Sequence, residues 1–256
     1  MATYKKRGYK PKNKAEKDVQ VEENSATAEV FNTLDEGASK TEAWVEKNQK
    51  IIFSVIGVIA VAVLGYLAFQ EFIQKPREVE GMNDMYQAQT YFEQALAVEQ
   101  GDSLYNLALN GGQGQYGFLD IIDNYGGTNA ANLAHYYAGM AYLQTNDYQN
   151  AISQLDEFES DDAILTPLAK GAIGDAFVQL DQSDKALDYY EEAASMNTNE
   201  FTTPRFLLKA GITALNLGKT DAALAHFKSI EDNYPNSQEA AKAMVYVGKA
   251  EAMKQQ

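Results

Sequence analysis

The segment Asp123–Gly139, DNYGGTNAANLAHYYAG, returns 109 residues later as Asp232–Gly248, DNYPNSQEAAKAMVYVG. Both copies open on Asp-Asn-Tyr, pass through a turn-forming pair and close on Tyr and Gly in register. The interval between them is itself subdivided. Gly139, Gly174, Gly211 and Gly248 follow one another at steps of 35, 37 and 37, and the first three each have an alanine twelve residues on, at Ala151, Ala186 and Ala223. A period of 20–50 residues marks a solenoid, in which each unit is one supersecondary element whose apolar face is closed by its neighbour. Such units need small residues where two helices touch and bulky ones where neighbours interlock. The first unit offers Gly139, Tyr142, Ala151, Leu155 and Phe158; the second Gly174, Phe177, Ala186, Tyr190 and Ala193; the third Gly211, Ala214, Ala223, Phe227 and Ile230, with Pro235 closing it.

On these residues the chain resembles the tetratricopeptide-repeat family, over about 132–253. The resemblance implies helical hairpins at about 132–165, 167–203 and 204–237, followed by a closing helix at 238–254. The match is degenerate: the tryptophan expected early in a unit is missing throughout, and Ala214 stands where an aromatic is usual. Upstream, Ala88, Phe92 and Ala95 copy the spacing of a second helix, and Phe118, Ile121 and Tyr125 copy Phe227, Ile230 and Tyr234. The segment 99–117 breaks the period, as an end unit with a neighbour on one side only is free to do. The solenoid is expected to occupy 79–256, and the fold class to be all-α, one transmembrane helix followed by this solenoid.

The transmembrane expectation rests on Ile51–Phe69, IIFSVIGVIAVAVLGYLAF, an uncharged run of 19 residues. As a helix it spans about 28 Å at ~1.5 Å per residue, close to the hydrocarbon thickness of ~30 Å. Trp44 and Tyr66 lie near its ends, where amphipathic rings favour the membrane interface. Fifty polar residues precede it, which argues against a cleaved signal peptide. Residues 1–50 carry ten Lys or Arg and net +1, whereas 70–256 hold 27 acids against 11 bases, a net −16. That asymmetry favours a cytoplasmic N-terminus and an extracytoplasmic solenoid. An acidic domain of this kind is a poor partner for DNA or anionic lipid.

Residues 1–26, polar and block-charged, read as a disordered tail that sets topology, with contact to ribosome or anionic headgroups as the sharper alternative. Residues 27–50 read as a juxtamembrane amphipathic helix along Val30, Phe31, Leu34, Ala38, Thr41 and Val45, weakened at Gly37. Pro76 is expected to interrupt the helix after the span, with a new one starting near Val79.

Nothing in the sequence assembles an active site. The chain has no cysteine, hence no thiolate nucleophile and no Cys-ligated metal. The glycine-rich stretch Asn110–Gly117 is followed by Phe118 and Leu119 rather than by the Lys and Ser/Thr of a phosphate loop. His135 and His226 stand about two and a half repeats apart. The acids Glu159–Asp162 lack the alternating oxygen ligands and glycine of a calcium loop, and read as an inter-repeat turn. No enzyme, cofactor or metal is expected.

Binding remains. The family's groove positions, carried over residue by residue, are Leu133, Tyr136, Met140, Leu143 and Gln144 in the first unit. In the second they are Leu168, Gly171, Asp175, Val178 and Gln179, and in the third Arg205, Leu208, Ile212, Leu215 and Asn216. With one Arg and one Asp, this set suits an apolar peptide or partner helix better than a carboxylate clamp. The alternative is that the protein covers these residues itself, for example with SLYNLALN (103–110). The layout resembles the single-pass inner-membrane tetratricopeptide proteins of Gram-negative bacteria that accompany the Sec translocon. It implies contact with translocon subunits, emerging proteins or periplasmic folding factors. A second reading places the solenoid with cell-wall or outer-membrane assembly machines, and a third makes it an enzyme with its site in 99–117, through residues such as Asp102 or Asn110.

Overall fold

The computed structural model of the protein describes residues 26–255, so the expected tail up to Ser25 lies outside them. The side chains of Val30, Phe31, Leu34 and Ala38, which form most of the expected amphipathic stripe, are outside the description as well. Among the described residues the structure is helical, with one isolated bridge between Gly112 and Gln115 and no strands. It divides into two compact units that meet between Phe69 and Gln70.

The first unit contributes one α-helix, α1, Ala26–Phe69. Gly37 does not break it. Its apolar stretch is exposed along its whole length, with a mean hydropathy of 2.7 over the best window and none of that window buried. A helix of a water-soluble core buries its apolar side chains. This one is long and apolar enough to cross a membrane.

The second unit starts with a π-helical turn, Gln70–Gln74, which runs directly into α2, Lys75–Leu96. The expected break at Pro76 does not occur. Pro76 sits in the first turn of α2, directly behind the π turn, a local widening of the kind that lets a helix pass a proline ring. There follow α3, Asp102–Asn110, and α4, Phe118–Asn124. Three hairpins come next: α5, Asn129–Gln144, with α6, Tyr148–Asp156; α7, Leu165–Gln179, with α8, Ser183–Ser195; and α9, Thr202–Asn216, with α10, Thr220–Asn233. The last helix is α11, Ala240–Lys254. Each hairpin helix packs chiefly on its neighbours in sequence, as a solenoid requires.

The hairpins close where the glycines stand. A Cβ at Gly139 would strike Leu155, one at Gly174 the ring of Tyr190, and one at Gly211 the ring of Phe227. In each hairpin the first helix yields its side chain so that a bulky residue of the second can approach its backbone. Gly171 does the same between units, since a Cβ there would overlap the ring of Phe206 on α9.

The core falls into two clusters. One gathers Met85, Phe92, Tyr105, Phe118, Ile121 and the alanines of α5; the other runs from Leu155 through Ile173, Tyr190, Phe206 and Phe227 to Ala250. Met140 packs against both. Helix α3 carries the whole segment SLYNLALN, and its Tyr105, Ala108 and Leu109 are buried in the first cluster. It therefore does not lie over the positions predicted in the second and third hairpins. The loop after it is closed on its own backbone: the amide of Gly112 donates to the Gln115 carbonyl and that of Gln115 to the Gly112 carbonyl, at 3.2 and 3.0 Å.

Three side chains bind the start of α2 to the turn that opens α5. Gln74 Nε2 donates to the Gly127 carbonyl at 2.7 Å and Arg77 Nη2 to the Asn124 carbonyl at 3.0 Å. The Glu78 carboxylate accepts the amides of Asn129 and Ala130 at 2.7 and 2.9 Å. Those amides are unpaired donors of the first turn of α5, and the helix dipole favours an anion there. Thr128 Oγ1 takes a third, from Ala131, at 3.1 Å. Farther along α2, Asp84 accepts the hydroxyl of Tyr125 at 2.5 Å.

Candidate functional site

The turn between α5 and α6 and the C-terminal half of α7 enclose a cleft of about 420 Å3, lined by Leu143, Gln144, Asn146, Tyr148, Asp175, Val178, Gln179 and Tyr190. Five of these, Leu143, Gln144, Asp175, Val178 and Gln179, are positions predicted for the groove. Asn146 stands at a turn with φ of +61°, a left-handed conformation that asparagine tolerates well. Its side chain accepts the Tyr148 hydroxyl at 2.6 Å, which fixes one wall of the cleft.

Asp175 anchors the opposite wall. Its carboxylate accepts the Tyr190 hydroxyl at 2.6 Å from the second helix of its own hairpin. It also takes Lys209 Nζ, at 2.7 Å to Oδ2, from the first helix of the next hairpin. The ammonium lies 5.4 Å from the centre of the Tyr190 ring, within cation–π range. Tyr190 and Phe206 stack at 6.5 Å with their planes 15° apart. Burial, reinforced by the charge of Asp175 and by its hydrogen bond, pushes the Tyr190 hydroxyl well above the usual tyrosine range. The phenol therefore stays protonated and donates, while Lys209 neutralises the acid.

The remaining predicted positions separate into three groups. Leu133, Tyr136, Met140, Leu168 and Ile212 are half-buried. Tyr136 lies with its ring 5.3 Å from Phe158, and burial raises its pKa while the nearby charge of Arg205 acts the other way. Arg205 and Asn216 are exposed. Leu208 and Leu215 are buried members of the second core cluster, at 8% and 4% exposure, and Gly171 is buried under Phe206. These three do not face a ligand. In the third hairpin Leu208 and Leu215 are closed into the core, and Arg205, Ile212 and Asn216 are the predicted positions left accessible there.

Lys209, Tyr148 and Asn146 escaped the sequence reading, and Tyr190 was read only as core. Position transfer looks along one face of each first helix, whereas Tyr148 and Tyr190 reach the cleft from second helices. Lys209 reaches it from the following hairpin. The hairpin of Asp175 has lysines of its own, Lys170 and Lys185, which are engaged elsewhere, so nothing in the sequence singled out Lys209.

Other polar clusters are structural. Asp162 Oδ1 accepts the amides of Ile164 and Leu165 at 2.8 Å each, which holds its carboxyl below the usual range and starts α7. His135 pairs with Gln154 at 2.8 Å across the first hairpin, and His226 with Glu191 at 2.9 Å between the second helices of successive hairpins. No group of three or more His, Asp or Glu able to hold a metal occurs among the described residues.

A family model described as the tetratricopeptide repeat matches residues 172–238, from the middle of α7 through α10. Over those residues the hairpins are of the tetratricopeptide type. The matched residues carry two of the glycine seats, Gly174 with Tyr190 and Gly211 with Phe227. The α5–α6 hairpin lies outside the match but repeats the seat with Gly139 and Leu155. No curated protein sequence matches the chain. The repeat match suggests a protein-binding helical scaffold.

Proposed function

We propose that the protein is a membrane-anchored, non-catalytic scaffold that stands beside the bacterial Sec translocon in the inner membrane, with its N-terminus cytoplasmic and its repeats periplasmic. There it meets emerging proteins or recruits a periplasmic chaperone. The observation that carries this reading is the union, in one chain, of an apolar helix with no buried face and an acidic solenoid of tetratricopeptide repeats. The excess of lysine and arginine before the span supports the orientation.

The cleft between α5–α6 and α7 is the contact surface we assign to this function. Its walls alternate apolar patches at Leu143 and Val178 with amide groups at Gln144, Asn146 and Gln179, and its one acid is already paired. That chemistry fits an extended or helical segment read through apolar anchors and backbone hydrogen bonds, and it has no cation cluster for a terminal carboxylate.

Purification of the full-length protein from its native membrane in mild detergent, with identification of what accompanies it, tests the proposal. Translocon subunits should be recovered, and a chain carrying Val178→Glu and Leu143→Glu should lose emerging proteins or chaperone while keeping its place in the membrane. Recovery of cell-wall or outer-membrane assembly factors, with translocon subunits at background, would replace this reading with that of an envelope-assembly adaptor.

A further inference from the structure

The first helices of the three hairpins each have their glycine face covered by a second helix. Helix α11 repeats the sequence of α5 at an offset of 109 residues, yet nothing covers the corresponding face. In α5, Asn132 exchanges hydrogen bonds with the backbone of Glu159 at 2.6 and 2.9 Å, His135 meets Gln154, Tyr136 meets Phe158, and Gly139 receives Leu155. The same four positions in α11 are Ala241, Met244, Val245 and Gly248. All four are exposed, Met244 by 60% and Val245 by 71%, and no atom lies within 4 Å of where a Gly248 Cβ would be. Ala252, one turn beyond the glycine, extends the stripe and is also exposed. The opposite face of α11, with Ala240, Ala243 and Ala250, is buried against α9 and α10.

Charge adds a direction. Two charged residues of α11 are drawn back to α10, Glu251 to Lys228 at 3.1 Å and Lys254 to Asp221 at 2.6 Å. Lys242 and Lys249 make no ion pair among the described residues, although Lys249 lies over the ring of Tyr246 at 5.8 Å. Seven residues apart, the two fall on one edge of the helix, beside the apolar stripe. They place positive charge along an open seam of a domain whose net charge is −16.

We propose that this face of α11 docks an amphipathic helix of another protein, acidic along one edge and carrying one bulky apolar residue that seats over Gly248. The chain supplies the precedents for that occupant in Leu155, Tyr190 and Phe227, each from a helix lying across a glycine in this register. The surface is separate from the cleft at Asp175, so the solenoid has two places to hold a partner.

The chain's own second helix provides the probe. A fluorescently labelled peptide of residues 183–195, SDKALDYYEEAAS, carries Tyr190 with acids at Asp188, Glu191 and Glu192, and is titrated with the full-length protein in detergent. Saturable binding is expected, weakened about tenfold or more by Gly248→Leu, which fills the seat, and by the pair Lys242→Glu and Lys249→Glu, at an unchanged melting temperature. The peptide with Asp188, Glu191 and Glu192 replaced by lysine should bind correspondingly less well. Absence of binding up to about 1 mM, a Kd in the weakest range, overturns the proposal, and so does binding that Gly248→Leu leaves untouched. The protein contains no cysteine, so Gly248→Cys offers a separate check. Rapid oxidative cross-linking of that variant to itself would assign the face to a second copy of the chain instead.

Discussion

Lys209 of the third hairpin holds Asp175 of the second, and through it the hydroxyl of Tyr190, so one carboxylate ties together three helices and two repeats. The pair is about one-third exposed on each side, with side-chain accessibilities of 30% and 37%. Solvent therefore screens part of its attraction, and its worth is that of a partly exposed ion pair reinforced by a hydrogen bond.

Lys209→Ala is expected to cost about 1 kcal/mol of stability, and Asp175→Ala somewhat more because it also strands the buried Tyr190 hydroxyl. Urea denaturation of the single variants and of the double variant gives the coupling. A coupling energy indistinguishable from zero would remove the pair from the list of contacts that hold the two repeats together.

The four repeat glycines should not respond alike. Gly211→Ala forces a methyl into the ring of Phe227 and is expected to destabilise by about 1–3 kcal/mol, as overpacking does. Gly248→Ala meets open space inside a helix and should stabilise by up to about 1 kcal/mol, the propensity difference between the two residues. Thermal melts of the two variants decide it, and equal shifts would contradict the open face.

Glu78→Gln keeps the shape of the cap on α5 but removes its charge. The expected loss is about 0.5–2 kcal/mol. Hydrogen exchange should quicken at Asn129 and Ala130 before it does elsewhere in α5. Unchanged exchange at those two amides would show that Thr128 caps the helix alone.

Alkaline pH should weaken the solenoid. The hydroxyl of Tyr125, chiefly through its hydrogen bond to Asp84, and that of Tyr190, chiefly through burial, keep their protons well above the ordinary range. In the unfolded chain both ionise near pH ~10. Above that pH the unfolded state holds fewer protons than the folded one, so their stabilising contribution, complete below pH ~10, declines as pH rises. Melts between pH 8 and 11 should show the fall, and the Tyr125→Phe variant a shallower one.

The hairpins were legible because the repeat writes its packing rule in residue sizes: a glycine on the first helix and a small residue twelve positions on can be counted without coordinates. Pro76 was misread because a proline looks like a stop, and only the backbone shows that a π turn ahead of it lets the helix go on. The lining of the cleft was legible where the first helices are polar enough to face water, at Gln144, Asp175 and Gln179. It was not legible at Leu208 and Leu215. A leucine on a first helix looks the same whether it lines a groove or fills a core, and the choice depends on the rotation of α9 against α10 and α11.

The contact between Glu78 and Asn129 also sets an order of events. The two residues are separated by 51 positions, whereas each glycine seat closes within a single hairpin, over less than half that separation. At ~5–20 residues per second of synthesis, Glu78 waits about 3–10 s for the amides it will hold. For most of that interval Met85, Ala88 and Phe92 have no partners from α4, and for all of it none from α5. The segment next to the span is therefore the last of its neighbourhood to settle, and the most open to capture by a chaperone while the chain is still being made.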